Sequence, residues 1–225
     1  MTASRSLVGL AMALAALGCG PSMQENILSQ PPMEPVLDAP INSTTDRQET
    51  LPQPESVAVW DHLQQADQRL YVVLLRHALA PGTGDPANFR LGDCATQRNL
   101  SEAGQQQARD IGQAFRQRGV SVDRVLSSQW CRCLDTAELL DLGQVEPFAP
   151  LNSFFQDRRT ADSQTAAVEA YLRQQPPQGV RVMVTHQVNI TALTGIVPAS
   201  GQGVVVAVDG DAPLDIIGTL DPLAP

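Results

Sequence analysis

Four segments of strand length are predicted as strands, 70–75, 123–128, 180–185 and 203–208, and all but 123–128 are apolar and rich in β-branched residues. The first of them has no polar alternation, which predicts a strand buried on both faces. The dipeptide Asp209-Gly210 predicts a turn from the last of them into a closing strand at 214–217. The pattern therefore predicts a sheet that ends in a hairpin.

Segments with helical periodicity separate these strands. In the segment 101–118, one helical face carries four apolar residues, Ala108, Ile111, Ala114 and Phe115. Ser101 is a favourable N-cap for this helix, and Gly119 ends it. Three further helices are predicted, at about 55–67, from Cys131 to Leu140 with Gly143 closing it, and at about 160–175. Strands that alternate with helices predict an α/β fold, a three-layer α/β/α sandwich with a mostly parallel central sheet and an antiparallel edge.

The N-terminal quarter of the chain has a different character. Residues 1–18 combine Arg5, an apolar run at 7–17 and small residues, the layout of a secretory signal peptide. That run is about half the roughly 20 residues needed to cross a bilayer. Residues 19–55 are proline-rich and polar with no sustained periodicity, which predicts a disordered tether. The folded domain is therefore expected at 56–225.

The segment Ala16-Leu17-Gly18-Cys19 resembles a bacterial lipobox, in which the cysteine becomes the lipidated first residue of the mature protein. We therefore predict a lipid anchor at Cys19 and an exported protein of the cell envelope or periplasm. The usual Leu three places before the cysteine is Ala16 here, so cleavage to a soluble secreted protein is the alternative. No other contact with a membrane is predicted.

The charge of the chain narrows the class of ligand. All 15 basic residues are arginines, and 24 Asp and Glu residues give a net charge of −9. This balance argues against nucleic acid as a partner. An anion site in this chain must be a local cluster of arginines.

Three cysteines remain once Cys19 is set aside: Cys94, Cys131 and Cys133. The last two are two positions apart on a predicted helix and point to different faces, so at most one can bond Cys94. One disulfide with one thiol and three buried thiols are both open at this point. Cys-x-Cys without a second pair is a poor zinc signal, and no metal site is predicted.

Polar side chains follow three predicted strands at the point where each strand ends. Arg76 and His77 follow the first, Ser128 and then Arg132 follow the second, and His186 follows the third. In open α/β sheets the carboxyl ends of parallel strands form the crevice in which ligands bind. We therefore expect these side chains to converge on one site.

Four segments carry a resemblance to a known family: Leu75-Arg76-His77-Ala78, Asn99-Leu-Ser-Glu-Ala-Gly104, Ser127-Ser128 through Arg132 to Thr136-Ala137, and Thr185-His186. In type and order they resemble the motifs of the histidine phosphatase superfamily, also called phosphoglycerate mutase-like, over about residues 70–208. The resemblance implies that His77 attacks phosphorus as a nucleophile. It implies that Arg76, Arg132 and His186 bind the phosphoryl oxygens, and that no metal or cofactor is needed.

The chain departs from the family pattern at three places. Ala78 replaces the usual glycine after the nucleophile, and Gln187 replaces the carboxylate that some branches place after the second histidine. The loop that carries a glutamate in mutase-like branches has none here. Asp157 is the predicted proton donor in its place, with Asp85 and Asp93 as weaker candidates and an ion pair with a neighbouring arginine as the alternative role of Asp157.

The connection from 79 to 100 is longer than packing requires, which favours a functional loop. Arg90 and Arg98 in this loop are predicted to contact the substrate or its leaving group. Asn99 and Ser128 complete the predicted substrate-binding set. Self-packing of the loop is the alternative role of Arg90 and Arg98, and of Phe89 beside them.

These features together predict an exported phosphatase that hydrolyses a small phosphate ester, or a phosphorylated envelope component, through a phosphohistidine on His77. A mutase-type phosphotransferase is the alternative enzyme. A phosphate-binding protein without catalytic activity is the alternative outside enzymes, because Ala78 and the uncertain acid weaken the catalytic set.

Overall fold

The computed structural model describes residues 54–224. Its helices are α1 (Pro54–Gln64), α2 (Glu102–Gln117), α3 (Cys131–Leu140), α4 (Ala161–Arg173) and α5 (Gln187–Thr194). Its strands are β1 (Leu70–Arg76), β2 (Arg124–Ser127), β3 (Val145–Pro147), β4 (Gly179–Thr185), β5 (Gly203–Val208) and β6 (Asp215–Leu220).

The six strands form one sheet in the order β3-β2-β4-β1-β5-β6. The first four are mutually parallel, β5 runs antiparallel to β1, and β6 runs antiparallel to β5. The predicted fold class, with its mostly parallel sheet and antiparallel edge, is confirmed. Because β1, β2 and β4 are parallel neighbours, their carboxyl ends lie together at one edge of the sheet.

The apolar run of β1 is buried on both faces of the sheet, as its lack of alternation predicts. Val73 and Leu75 belong to a core shared with α1, α2 and α3, which includes Phe115. Val72 and Leu74 belong to the core on the opposite face, which α4 and α5 cover. The sheet is therefore the middle of three layers.

Two glycines set the positions of helices α2 and α3. A Cβ atom at Gly104 would lie 2.0 Å from the carbonyl oxygen of Leu79, and one at Gly112 would lie 1.8 Å from that of Leu140. Ser101 caps α2 by accepting a hydrogen bond from the Gly104 amide at 3.0 Å, as predicted. The close approach of α2 to Leu79 brings the segment after β1 against the start of this helix.

The structure differs from the sequence-based prediction at some element boundaries. Helix α3 ends at Leu140, where Asp141 adopts the left-handed conformation (φ 52°), so Gly143 is not the residue that ends it. Strand β6 begins at Asp215 and continues to Leu220, beyond the predicted end. Strand β3 was not predicted, since three residues that include Glu146 and a proline are too few for a periodicity signal. Helix α5, of eight residues, was not predicted either.

The predicted signal peptide, the lipidation site Cys19 and nearly all of the predicted tether lie outside the described residues. Within 54–224, none of the helices is both long and apolar enough to cross a bilayer.

Candidate active site

A cavity of about 160 Å³ opens at the carboxyl ends of β1, β2 and β4. Its lining residues are Arg76, His77, Gly82, Thr83, Gly84, Asp85, Arg98, Trp130, Arg132, Ser153, Phe155, Gln156, His186, Gln187 and Val188. The two histidines and two arginines predicted to form the site all line it. The predicted convergence of residues far apart in the chain is therefore present in the structure.

His77 immediately follows β1 and is 2% exposed. Its Nδ1 lies 2.8 Å from the carbonyl oxygen of Ala78, which can only accept a hydrogen bond, so Nδ1 carries the proton. The Ala78 amide is held by the Thr136 hydroxyl at 3.0 Å, and that hydroxyl donates to the carbonyl oxygen of Arg132. This arrangement leaves the lone pair of His77 Nε2 available for attack on phosphorus.

The pKa of His77 is lowered to about 3, first by burial and then by the positive charges of Arg132, Arg98 and Arg76, although the Ala78 carbonyl acts in the opposite direction. The imidazole is therefore neutral at physiological pH. A protonated imidazole has no lone pair on Nε2, so this shift keeps the group in its nucleophilic form.

His186 follows β4, with its ring centroid 5.5 Å from that of His77. Its Nδ1 lies 3.4 Å from Arg132 Nη2, which can only donate, so Nδ1 accepts and Nε2 carries the proton. Nε2 lies 2.9 Å from the hydroxyl of Ser128, which accepts that proton's hydrogen bond. Burial and the neighbouring arginines lower the pKa of His186 well below its ordinary value, so this ring is also neutral.

Three guanidinium groups surround the histidines. Arg76 donates from Nη1 to the carbonyl oxygen of Pro198 at 2.9 Å, and Arg98 donates to the carbonyl oxygens of Gly84 and Ala80. Burial and the charge of Arg132 lower the pKa of both Arg76 and Arg98.

The buried Nε atoms of Arg76 and Arg132 have no hydrogen-bond partner among the described residues. Buried donors without acceptors, in a cluster of like charges, are typical of a site that binds an anion.

Asp85 is the one carboxylate among the lining residues, and its side chain is 5% exposed. It accepts from Arg132 Nη1 at 2.6 Å and Nη2 at 3.2 Å, and from the Trp130 indole at 3.0 Å. Burial acts to raise the pKa of Asp85, but its hydrogen bonds and the charge of Arg132 outweigh burial and lower it. Asp85 is therefore an ionised partner of Arg132, with no proton to donate.

The structure does not bring Asp157 into the cavity. Its carboxylate caps a 3₁₀ turn and pairs with Arg159 at 2.6 Å, which lowers the pKa of Asp157 to about 2. This is the alternative role considered for it, as the partner of a neighbouring arginine. Asp93 likewise caps a short 3₁₀ helix and pairs with Arg90 at 3.2 Å.

The other predicted substrate contacts divide into two groups. Arg98 lines the cavity, and Ser128 supports it by holding His186. Arg90 is 72% exposed and lies outside the lining, and the Asn99 amide donates to the carbonyl oxygen of Cys94. For Arg90 and Asn99 the structure shows the self-packing role of the loop.

A disulfide joins Cys94 to Cys131, and Cys133 is a free buried thiol whose pKa is raised to about 12, chiefly by burial. Of the two possibilities left open by the sequence, one disulfide with one thiol is therefore correct. The bond connects the loop after β1 to the first residue of α3, one position before Arg132. It ties the loop that carries Asp85 and Arg98 to the helix that carries Arg132.

Several lining residues had no signal in the sequence. Ser153, Phe155 and Gln156 come from an irregular connection, and Trp130 and Val188 resemble ordinary core residues in the chain. The path of the connection brings Ser153, Phe155 and Gln156 to the histidines, whereas Trp130 and Val188 lie at the starts of α3 and α5. Phe89 stacks on Trp130, and this contact holds the loop after β1 against the start of α3.

The sequence of this chain was compared with family models and with curated proteins. A family model described as the histidine phosphatase superfamily (branch 1) matches residues 72–152. That segment includes His77, Asp85 and Arg132, whereas His186 lies beyond it. No curated protein sequence gives a significant match.

Solved structures share the fold at low sequence identity. The protein histidine phosphatase SixA complexed with tungstate is 19% identical with a TM-score of 0.51, over 68% of this chain and 97% of that one. The open reading frame Rv3214 from Mycobacterium tuberculosis is 16% identical with a TM-score of 0.52, over 68% and 98%. A phosphoserine phosphatase from Entamoeba histolytica in complex with 3-phosphoglyceric acid is 13% identical with a TM-score of 0.50, over 68% and 97%. The family model therefore matches a segment shorter than half of this chain, and the solved structures share its fold.

Proposed function

We propose that this protein is a phosphatase that transfers the phosphoryl group of a small phosphate ester to His77 Nε2 and then to water. One observation carries the proposal. A neutral imidazole, with its proton fixed on Nδ1 by the Ala78 carbonyl, lies in a cavity with three guanidinium groups and one carboxylate. This is a nucleophile inside an anion site.

In the first step the Nε2 lone pair forms a bond to phosphorus as the bond from phosphorus to the leaving oxygen breaks. The phosphorylated ring is cationic, and the Ala78 carbonyl accepts its Nδ1 hydrogen at 2.8 Å. In the second step a water molecule attacks phosphorus, the N–P bond breaks, and the ring returns to its neutral form while the proton of water passes to phosphate or solvent. Arg76, Arg98 and Arg132 offset the charge on the phosphoryl oxygens throughout.

The geometry also bears on the leaving group. The cavity-lining residues include one carboxylate, and Asp85 is ionised because Arg132 holds it. Both histidines are neutral and use their protons in hydrogen bonds to Ala78 and Ser128. The leaving oxygen therefore departs without a proton from the protein, and this favours leaving groups of low basicity.

Two observations support a location outside the cytoplasm for this enzyme. The first 20 residues have the layout of an export signal with Cys19 as a lipidation site. The disulfide between Cys94 and Cys131 is of the kind that persists in oxidising compartments. Fractionation of cells that express the intact chain tests this part. Membrane-bound protein that becomes soluble in Cys19→Ser supports the anchor, and retention in the cytoplasm contradicts export.

Hydrolysis of nitrophenyl phosphate by the purified protein tests the activity. We expect turnover that His77→Ala abolishes. His62→Ala is the matched control. His62 forms a hydrogen bond with Tyr71 near the amino end of β1 and does not line the cavity. Binding of phosphate without turnover by the unmodified protein would instead identify a phosphate-binding protein.

A further inference from the structure

We propose that the cavity selects phosphate esters whose leaving group is aromatic, through an apolar wall formed by Trp130, Phe155 and Val188. We call these three residues the aromatic wall. The inference rests on the proposed phosphatase function and adds to it the class of substrate.

The first reason for this proposal is the position and exposure of Phe155. It lines the cavity and is 47% exposed, which makes it one of the few large apolar side chains open to solvent in the described part of the chain. Its ring edge faces Gly84, since a Cβ atom built there would lie 3.9 Å from Phe155 Cε1. When a ligand ring covers an exposed phenyl group beside a cavity, apolar surface is removed from water, and this favours binding.

Trp130 supplies the rigid part of the wall. Phe89 stacks on its ring with centroids 4.9 Å apart, and the indole donates to Asp85 at 3.0 Å. The edge-to-face contact with His186 has a centroid distance of 5.6 Å. Three contacts hold this ring in place, so a substrate ring can bind against it without the entropy loss of ordering a mobile side chain.

The chemistry of the site gives an independent second reason. Asp85 is ionised, and both neutral histidines use their N–H protons in hydrogen bonds to Ala78 and Ser128, so none of the three protonates a leaving oxygen. A phenol has a pKa of about 10, as the tyrosine side chain does, whereas the pKa of an alkanol is far higher and close to that of water. An aryl oxide therefore departs unaided far more readily than an alkoxide. Among the described lining residues, the aromatic wall and the lack of a protonated carboxyl group thus favour the same substrates.

The test of the aromatic wall by binding compares phenylphosphonate with methylphosphonate, two ligands that the enzyme cannot hydrolyse, by calorimetry. We expect the unmodified protein to bind phenylphosphonate about tenfold more tightly. Phe155→Ala should remove most of that preference and leave methylphosphonate binding unchanged. Ile216→Ala is the matched control, because Ile216 is 43% exposed on β6 and lies outside the cavity lining.

Equal binding of the two phosphonates by the unmodified protein would overturn the proposal. A preference that survives in Phe155→Ala, or an equal loss of affinity for both ligands in that variant, would overturn it as well.

Turnover separates this proposal from the proposed function. Phenyl phosphate and acetyl phosphate both release leaving groups that need no proton, but only the first has a ring. We expect Phe155→Ala to lower kcat/KM about tenfold for phenyl phosphate and less than twofold for acetyl phosphate.

If the phenylphosphonate preference holds and neither phosphate is hydrolysed, the aromatic wall stands and the phosphatase proposal fails. If acetyl phosphate is hydrolysed through His77 and no preference for a ring is found, the phosphatase stands and the aromatic wall fails.

Discussion

The two ends of the central sheet both hold arginines, but in opposite electrostatic settings. At the amino end each guanidinium has its own carboxylate. Arg181, whose side chain is 5% exposed, pairs with Asp123 at 2.8 Å, and Arg124 pairs with Glu146. At the carboxyl end Arg76, Arg98 and Arg132 line one cavity with a single carboxylate, Asp85, which pairs with Arg132.

The pKa values of these arginines reflect the difference. The hydrogen bond with Glu146 raises the pKa of Arg124, whereas burial and the charge of Arg132 lower the pKa of Arg76 and Arg98. In a chain with a net charge of −9, enough carboxylates exist to pair every arginine. A surplus of positive charge in one cavity therefore indicates a ligand site, while paired arginines indicate a structural role.

The largest effect expected is on activity, in Arg76→Met. This variant removes a guanidinium that faces the phosphoryl site and has no carboxylate partner, so we expect kcat/KM for nitrophenyl phosphate to fall about 100- to 1000-fold. The free energy of unfolding should stay equal or rise slightly, because a partly buried charge without a counter-charge is removed. Steady-state kinetics and denaturant unfolding measure the two quantities. A large loss of stability with activity retained would mean that Arg76 has a structural role and does not serve the phosphoryl site.

The second effect is the dependence of stability on pH. Unfolding returns the pKa of His77 from about 3 to its ordinary value of about 6.5, so below pH 6.5 the unfolded chain binds a proton that the folded chain does not. Stability should therefore fall as pH is lowered from 6.5 towards 3, by about 1 kcal/mol per pH unit for this group. His77→Gln should remove that part of the slope in urea unfolding at pH 7, 6, 5 and 4. An unchanged slope in the variant would mean that His77 is not buried as a neutral ring.

Arg181→Met sharpens the comparison from the other end of the sheet. We expect the free energy of unfolding to fall by about 1 to 2 kcal/mol, because Asp123 is only half-buried and loses its partner. Activity towards nitrophenyl phosphate should stay within twofold, since Arg181 does not line the cavity. Thermal unfolding and kinetics on the same sample measure both. Loss of activity at unchanged stability would show that the paired arginines also serve the site.

The smallest effect concerns Asp85. Its carboxylate occupies both Nη atoms of Arg132, so it competes with a phosphate for that guanidinium. Asp85→Asn should tighten inhibition by inorganic phosphate about three- to tenfold. Asp157→Asn is the matched control and should change nothing, because Asp157 pairs with Arg159 outside the cavity. Weaker inhibition in Asp85→Asn would mean that the ion pair holds Arg132 in place for phosphate.

The sequence was informative where the signal is local. The apolar run of β1 and the arginine and histidine that follow it predict both the strand and the place of His77 at its carboxyl end. The same reasoning placed His186 and Arg132. Strand ends can be recognised in a sequence, and parallel neighbours bring them together, so these side chains could be predicted to meet.

The sequence was less informative where the path of a loop determines which side chains meet. The position of Asp157 along the chain favours it over Asp85 as the proton donor, but in the structure its carboxylate accepts hydrogen bonds from Arg159, two residues away. The choice of Cys131 over Cys133 as the partner of Cys94 also depends on where the loop meets α3. Contacts between irregular segments leave no periodic pattern to interpret.

Trapping of the phosphorylated protein tests the central claim most directly. The protein is mixed with nitrophenyl phosphate, denatured within milliseconds under alkaline conditions that preserve phosphohistidine, and analysed by peptide mass spectrometry. The account predicts phosphate on the peptide that contains His77 and none in His77→Ala. Phosphate on another residue, or equal labelling of the His77→Ala variant, would contradict it.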